Sequence, residues 1–124
     1  MMNPFLQVAL GGAVGATARY ATYRMLSLHG PGFPIATVVV NVAGSLVMGL
    51  LAALMAHRIG NDWAPLLLTG VLGGFTTFSA FSLETALMIG KRAYVQAFAY
   101  TAASVLLALA ALFVGLLLSR RVFA

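Results

Sequence analysis

Four long apolar stretches, separated by short polar or turn-forming clusters, make up nearly all of the chain. They run over about 4–28, 34–56, 63–90 and 94–119. Between them stand His29-Gly30-Pro31-Gly32, His57-Arg58-Ile59-Gly60-Asn61-Asp62 and Lys91-Arg92, and Arg120-Arg121 follows the last stretch. Each stretch matches or exceeds the roughly 20 residues that a helix needs to cross a bilayer. In lipid, a helix satisfies its own backbone groups, whereas an isolated open strand cannot. The pattern predicts an all-α membrane protein: a single domain of four transmembrane helices.

The polar exceptions inside these stretches carry the chemistry. The third stretch spans roughly 28 residues, more than one bilayer crossing requires. Within it, Gly70–Thr85 reads GVLGGFTTFSAFSLET. Gly73-Gly74 and Thr76-Thr77 predict a helix break near 73–77, followed by Phe78, Phe81 and Glu84. Backbone groups freed at that depth need partners, so such a break lines a cavity or binds an ion. In the first stretch, Gly11-x-x-x-Gly15 and Gly12-x-x-x-Ala16 let helix backbones approach closely. Arg19 follows, well inside the apolar run. Pro34 suits the first turn of the second helix, and Asn41, Ser45 and Gly49 share one of its faces. Asp62 is expected to cap the third helix, with Trp63 at the interface. Gln96, Tyr100 and Ser104 form a polar stripe on the fourth.

Composition narrows the class. The chain is 62% hydrophobic and 7% charged, with a mean hydropathy of +1.03. A soluble domain carries about a quarter charged residues, so a soluble core is excluded. The net charge of +5 comes from seven Lys and Arg. They stand mostly at the ends of apolar stretches, as interfacial anchors rather than a nucleic-acid surface. There is no cysteine, hence no disulfide or thiol chemistry. His29 and His57 at helix ends read as solvated side chains, not metal ligands. The N-terminus lacks a basic region and an A-x-A-type cleavage site, so no cleaved signal peptide is expected. No nucleophile–base set, metal-ligand cluster or phosphate loop is present, so no enzyme is expected.

The loops give no orientation. Arg24, Lys91 and Arg92 face one side, and Arg58, Arg120 and Arg121 the side of the termini. The positive-inside rule is balanced, so the chain is expected to insert both ways. Depth adds a second argument. At 1.5 Å per residue, Arg19, Asn41, Glu84 and Tyr100 all lie roughly 9–14 Å from the loop side, with Phe78, Phe81 and Ser104 somewhat deeper. The half nearest the termini is almost wholly apolar. One copy therefore lines half a pathway, and an inverted copy would line the rest. The expectation is an antiparallel, dual-topology homodimer with the two breaks facing each other at the midplane.

These residues resemble the Fluc-type (CrcB-like) fluoride channel family. The similarity rests on Gly73-Gly74-Phe75-Thr76-Thr77-Phe78-Ser79-Ala80-Phe81-Ser82 with Glu84. It extends to Gly11-Gly12-x-x-Gly15-Ala16-x-x-Arg19-Tyr20, to Thr37-x-x-x-Asn41 with Gly44, and to Tyr100-x-x-x-Ser104. The resemblance implies a fluoride channel of the bacterial inner membrane, with two antiparallel pores per dimer and passive conduction. It implies a structural Na⁺ at the dimer interface, held by the backbone carbonyls of Gly73 and Thr76. It puts Phe78 and Phe81 in an aromatic box, Asn41 as a donor to the ion, and Ser79, Tyr100 and Ser104 along the polar track. Ala80 departs from the family, which usually has a hydroxyl residue there.

The chemistry agrees. A selected anion must lose water to donors strong enough to replace it and weak enough to release it. Asn41 offers N–H₂ and the hydroxyls offer O–H, while phenyl rings offer positively polarised edges. Arg19 and Glu84 at similar depth are expected to pair or to form a basic vestibule. The alternative reading is a small dual-topology, proton-coupled transporter of cationic drugs with Glu84 as its proton site.

Overall fold

The computed structural model describes residues 2–26 and 33–123. The turn expected over 29–32 and the end of the first stretch at Leu28 lie outside the described residues. Helix α1 spans Pro4–Leu26 and α2 spans Ile35–Leu54, which runs on into a π-helical turn, Met55–Ile59. A second π segment, Pro65–Leu72, leads into a single turn, α3 (Gly73–Phe75). Helix α4 then covers Phe78–Gly90 and α5 covers Tyr94–Phe123. Every regular element among the described residues is helical.

The helices pack as two parallel pairs, and glycines set both contacts. In the first pair, α1 lies along the broken third helix. A Cβ on Gly11 would come within 2.9 Å of the Gly70 Cα, and one on Gly15 would strike the Val71 carbonyl. A Cβ on Gly74 would come 2.8 Å from the Gly12 carbonyl. This is the close backbone approach that the small-residue spacing of α1 predicts. In the second pair, Gly49 of α2 and Gly115 of α5 face each other, their added Cβ atoms striking the carbonyls of Leu112 and Leu46. At Gly44 a Cβ would strike the Thr76 methyl. That contact joins the pairs at the break.

The continuous runs 35–59, 65–90 and 94–122 are 25, 26 and 29 residues long and apolar enough to cross a membrane. Helix α1 has 23 residues, about 34 Å of helix. Gln7, Thr17, Arg19 and Thr22 dilute its hydropathy, so it is the least apolar of the four. Its buried face, Gln7, Gly11 and Gly15, is turned onto the third helix. Large apolar side chains such as Phe98, Leu106 and Phe113 stand exposed along α5, as a lipid-facing surface requires. The chain is a multi-pass membrane protein.

Three local expectations change. The chain does not break at Gly73-Gly74: Gly73 has helical angles (φ −62°, ψ −37°), and the backbone turns extended only at Thr76 and Thr77. Asp62 does not cap the third helix, which starts without a side-chain cap; instead the Ala64 N–H donates to the Asn61 carbonyl at 3.0 Å. The last helix continues past Ser119 to Phe123. Arg120 and Arg121 favour this, since cations suit a helix C-terminus.

Candidate functional site

The site is built on the extended pair Thr76-Thr77. Thr76 (φ −87°, ψ 158°) and Thr77 (φ −152°, ψ 122°) turn extended; the Thr76 N–H still donates to the Leu72 carbonyl at 2.9 Å, but both backbone groups of Thr77 need partners. Asn41 supplies them from α2. Its Oδ1 accepts from the Thr77 N–H at 2.7 Å, and its Nδ2 donates to the Thr77 carbonyl at 2.9 Å. One side-chain amide thus does for Thr77 what a neighbouring strand would do. Thr77 also starts the next helix: its Oγ1 accepts from the Ala80 N–H at 3.1 Å, the bond expected of a threonine N-cap.

The carbonyls of the first half-helix can be followed one by one. The helical partner of the Gly73 carbonyl would be the Thr77 N–H, which Asn41 has taken. The Gly74 carbonyl accepts from Arg19 Nε at 3.0 Å. The Thr76 carbonyl lies at the break, beyond the last helical turn. Gly73 is solvent-exposed in the single chain and Thr76 is half-buried. Gly73 and Thr76 therefore have carbonyl oxygens available to a cation, uncharged and free of the helix ladder.

Beside the break opens a cavity of about 350 Å³. Asn41, Ser45, Thr77, Phe78, Phe81 and Ser104 are among its lining residues. Four of the residues singled out in the sequence, Asn41, Phe78, Phe81 and Ser104, thus meet on one space. The two phenyl rings lie 5.5 Å apart at a 49° tilt. Ser104 is 6% exposed, and its hydroxyl has no hydrogen-bond partner. Phe78 is 77% exposed, so within one chain the cavity lacks an outer wall. Ser79 is not among its lining residues. Its hydroxyl faces that of Thr77 at 3.1 Å, on the exposed side of α4.

Tyr100, fully buried, connects this cavity to Glu84. Its ring packs on Phe81 at 5.3 Å, and its hydroxyl donates to Glu84 Oε2 at 2.6 Å. Thr37 donates to Glu84 Oε1 at 2.8 Å. Thr37 has a single proton, already given to Glu84, so the 2.5 Å contact between Tyr23 and Thr37 has Tyr23 as donor. A chain of hydroxyls thus ends on one carboxylate, each bond polarising the next. Of the two arrangements expected for Arg19 and Glu84, an ion pair or a basic vestibule, the pair does not form. The guanidinium is turned to the Gly74 carbonyl, and neutral donors serve the carboxylate. Glu84 also lines a second cavity, of about 250 Å³, with Lys91 and Gln96.

Thr37, Tyr23, Ser45, Thr77 and Phe33 belong to the site as well. The sequence names Thr37, Ser45 and Thr77 as a motif position, as a neighbour on the Asn41 face and as part of the break, without a part in the ion path; it gives Tyr23 and Phe33 none. Thr37 lies one turn before Asn41 on the same face, and that spacing carries its signal. Phe33, which meets the Tyr100 ring edge-on at 5.2 Å, carries no such signal.

Comparison with known proteins identifies the family. The family model described as "CrcB-like protein, Camphor Resistance (CrcB)" matches residues 6–116. The "Fluoride-specific ion channel FluC" of Caulobacter vibrioides (strain NA1000 / CB15N) is 61% identical over 128 residues, covering 99% of this chain and 100% of that protein. The protein of the same name from Paracoccus denitrificans (strain Pd 1222) is 53% identical over 124 residues, with both chains fully covered. That of Hyphomonas neptunium (strain ATCC 15444) is 52% identical over 127 residues, covering 99% of this chain and 100% of its own length. With motifs in all four helices and a match that runs nearly end to end, the chain belongs to the CrcB-like family.

Proposed function

We propose that this protein is a fluoride-selective passive ion channel that lets cytoplasmic fluoride leave the cell across the inner membrane. The observation that carries the reading is the cavity beside the break, which amide, hydroxyl and phenyl side chains line together with apolar residues. A dehydrated anion needs that set: donors in place of water, and none strong enough to trap it. Asn41 keeps one N–H of its amide after serving Thr77, the Ser104 hydroxyl is unspent, and the rings of Phe78 and Phe81 would offer positively polarised edges. Tyr100 backs the box through its contact with Phe81, and Ser79, outside the cavity of the single chain, would join the polar track only where a second copy faces it. Arg19 and Glu84 stand at its vestibule.

The working unit in this reading is an antiparallel homodimer inserted in both orientations, with two pores. Support comes from the open side of the cavity at Phe78 and from the balanced loop charges. Gly73 and Thr76 of each copy would hold a Na⁺ between them, where it fixes the two breaks together and adds positive potential. Four neutral carbonyls suit a monovalent cation better than a divalent one. In acidic surroundings fluoride is protonated to HF, which enters the cell and dissociates inside. An anion leak driven by the membrane potential then exports it without coupling. The alternative proton-coupled transporter of cations needs a carboxylate free to exchange partners, whereas both oxygens of Glu84 are bonded.

Fluoride efflux from liposomes containing the purified protein, run beside chloride, tests the function. Rapid fluoride release with no chloride release is expected. No release, or equal release of both anions, would refute it.

A further inference from the structure

We propose that Ser45 is a further ion-contacting residue, carrying the hydroxyl-lined path one helical turn past Asn41 into the apolar end of the cavity. The inference rests on the channel reading above and adds a residue that neither the motifs nor the family match assigns.

The register of the α2–α5 pair places it. Gly49 meets Leu112 and Leu116, and Gly115 meets Leu46 and Leu50. Counting back along these parallel helices, Asn41 lies level with the turn of Val105 and Ala108, Ser104 lies just before it, and Ser45 lies one turn further, beyond Ala108. Asn41, Ser45, Ser104 and Ala108 all line the same cavity. Around Asn41 two helices offer donors, an amide and, on the loop side of it, an unpartnered hydroxyl. Toward Ser45 the α5 residues lining the cavity, Ala108 and Leu109, are apolar. Ser45 is thus the lone donor at that level among the residues lining the cavity.

Several hydroxyls in these helices are spent locally. Thr17, Thr22, Ser82 and Thr85 each donate to the carbonyl four residues earlier, as such residues do in membrane helices. Ser104 does not, and its hydroxyl faces no protein acceptor. An ion leaving Asn41 and Ser104 for the termini side meets Ser45 next. Without that hydroxyl it crosses a wholly apolar ring, where no donor offsets its lost water.

The test is fluoride efflux from liposomes for the unaltered protein and for Ser45→Ala, Ser45→Thr and the double variant Ser45→Ala/Ala108→Ser. Ser45→Ala should slow efflux by roughly tenfold, one tenfold step in barrier terms. Ser45→Thr keeps the hydroxyl and should stay close to the unaltered rate. The double variant returns a hydroxyl from the opposite helix and should recover most of the loss. Recovery by Ala108→Ser separates a donor role from a packing role, which a second substitution across the cavity would not mend. Unchanged efflux in Ser45→Ala, or a slow variant that neither Thr nor Ala108→Ser restores, overturns the proposal. Ser45→Cys, near-isosteric with a weaker donor, should also be slow, and serves if the alanine variant does not assemble. An unaltered protein that releases no fluoride would instead sink the channel reading itself.

Discussion

Asn41 shows how one side chain can serve both fold and chemistry. Its amide bonds both backbone groups of Thr77 while the residue still lines the cavity. Asn41→Ala would leave an N–H and a carbonyl of Thr77 without partners, each costing about 1–3 kcal/mol. The variant should therefore unfold earlier in a denaturation series in detergent as well as lose fluoride flux. Unaltered stability would show that Thr77 finds other partners. Phe81 is the contrasting case. Its ring packs between Phe78 and Tyr100, and an aliphatic side chain could fill much of the same space. Phe81→Ile should keep the assembly intact on size exclusion yet lower fluoride efflux at least roughly tenfold, because the polarised ring edge is gone. Near-normal efflux would remove the ring from the ion path. Glu84 was legible as an in-membrane carboxylate, but its partners were not. Depth along a helix says nothing of azimuth, and the azimuth gave it Thr37 and Tyr100 in place of Arg19.

At the level of elements, the break was legible within 73–77, and only the residues that turn extended inside that window were not. Glycines read as breakers in isolation, but Gly73 and Gly74 stay helical, and Gly74 is where α1 comes close, a Cβ there meeting the Gly12 carbonyl. The extended residues are the β-branched Thr76 and Thr77, held open by a side chain from another helix. The π-helical geometry of Pro65–Leu72 has no counterpart in the hydropathy pattern, which is the same for an α- and a π-helix of this length. The glycine contacts yield a graded test. Gly15→Val would drive a side chain into the Val71 carbonyl and should destabilise the protein by about 3 kcal/mol, the upper range of overpacking. Gly90→Ala meets nothing within 4 Å and should leave stability unchanged or slightly raised. Equal melting behaviour of the two variants would contradict the packing described for α1.

At the level of the whole molecule, the exposed Phe78 (77%) and the solvent-facing Gly73 are the surfaces that the proposed inverted copy would cover. Two measurements address this arrangement. A membrane-impermeant label on a single cysteine placed at the C-terminus should reach about half the molecules from each side of the membrane, as balanced loop charges predict. Labelling from one side alone would rule out dual topology. Replacing Na⁺ by a bulky organic cation should loosen the assembly, since a ligand bound only to the assembled form stabilises it by mass action. Indifference to Na⁺ would remove the cation from Gly73 and Thr76.

The sequence by itself determined the class, the four spanning stretches and the stretch where the helix is interrupted. Length, hydropathy and the cost of bare backbone in lipid act locally along the chain, and local information is enough to read them. It also named Asn41, Phe78, Phe81 and Ser104, the residues that meet on the cavity. Only the tertiary structure decided which hydroxyl and which cation met which acceptor. Arg19 took the Gly74 carbonyl, Thr37 and Tyr100 took Glu84, and Asn41 took both backbone groups of Thr77. Those choices depend on helix rotation and register. Both are set by glycine contacts between helices more than 30 residues apart in the chain, such as Gly11 with Gly70 and Gly49 with Gly115, and no local pattern encodes them.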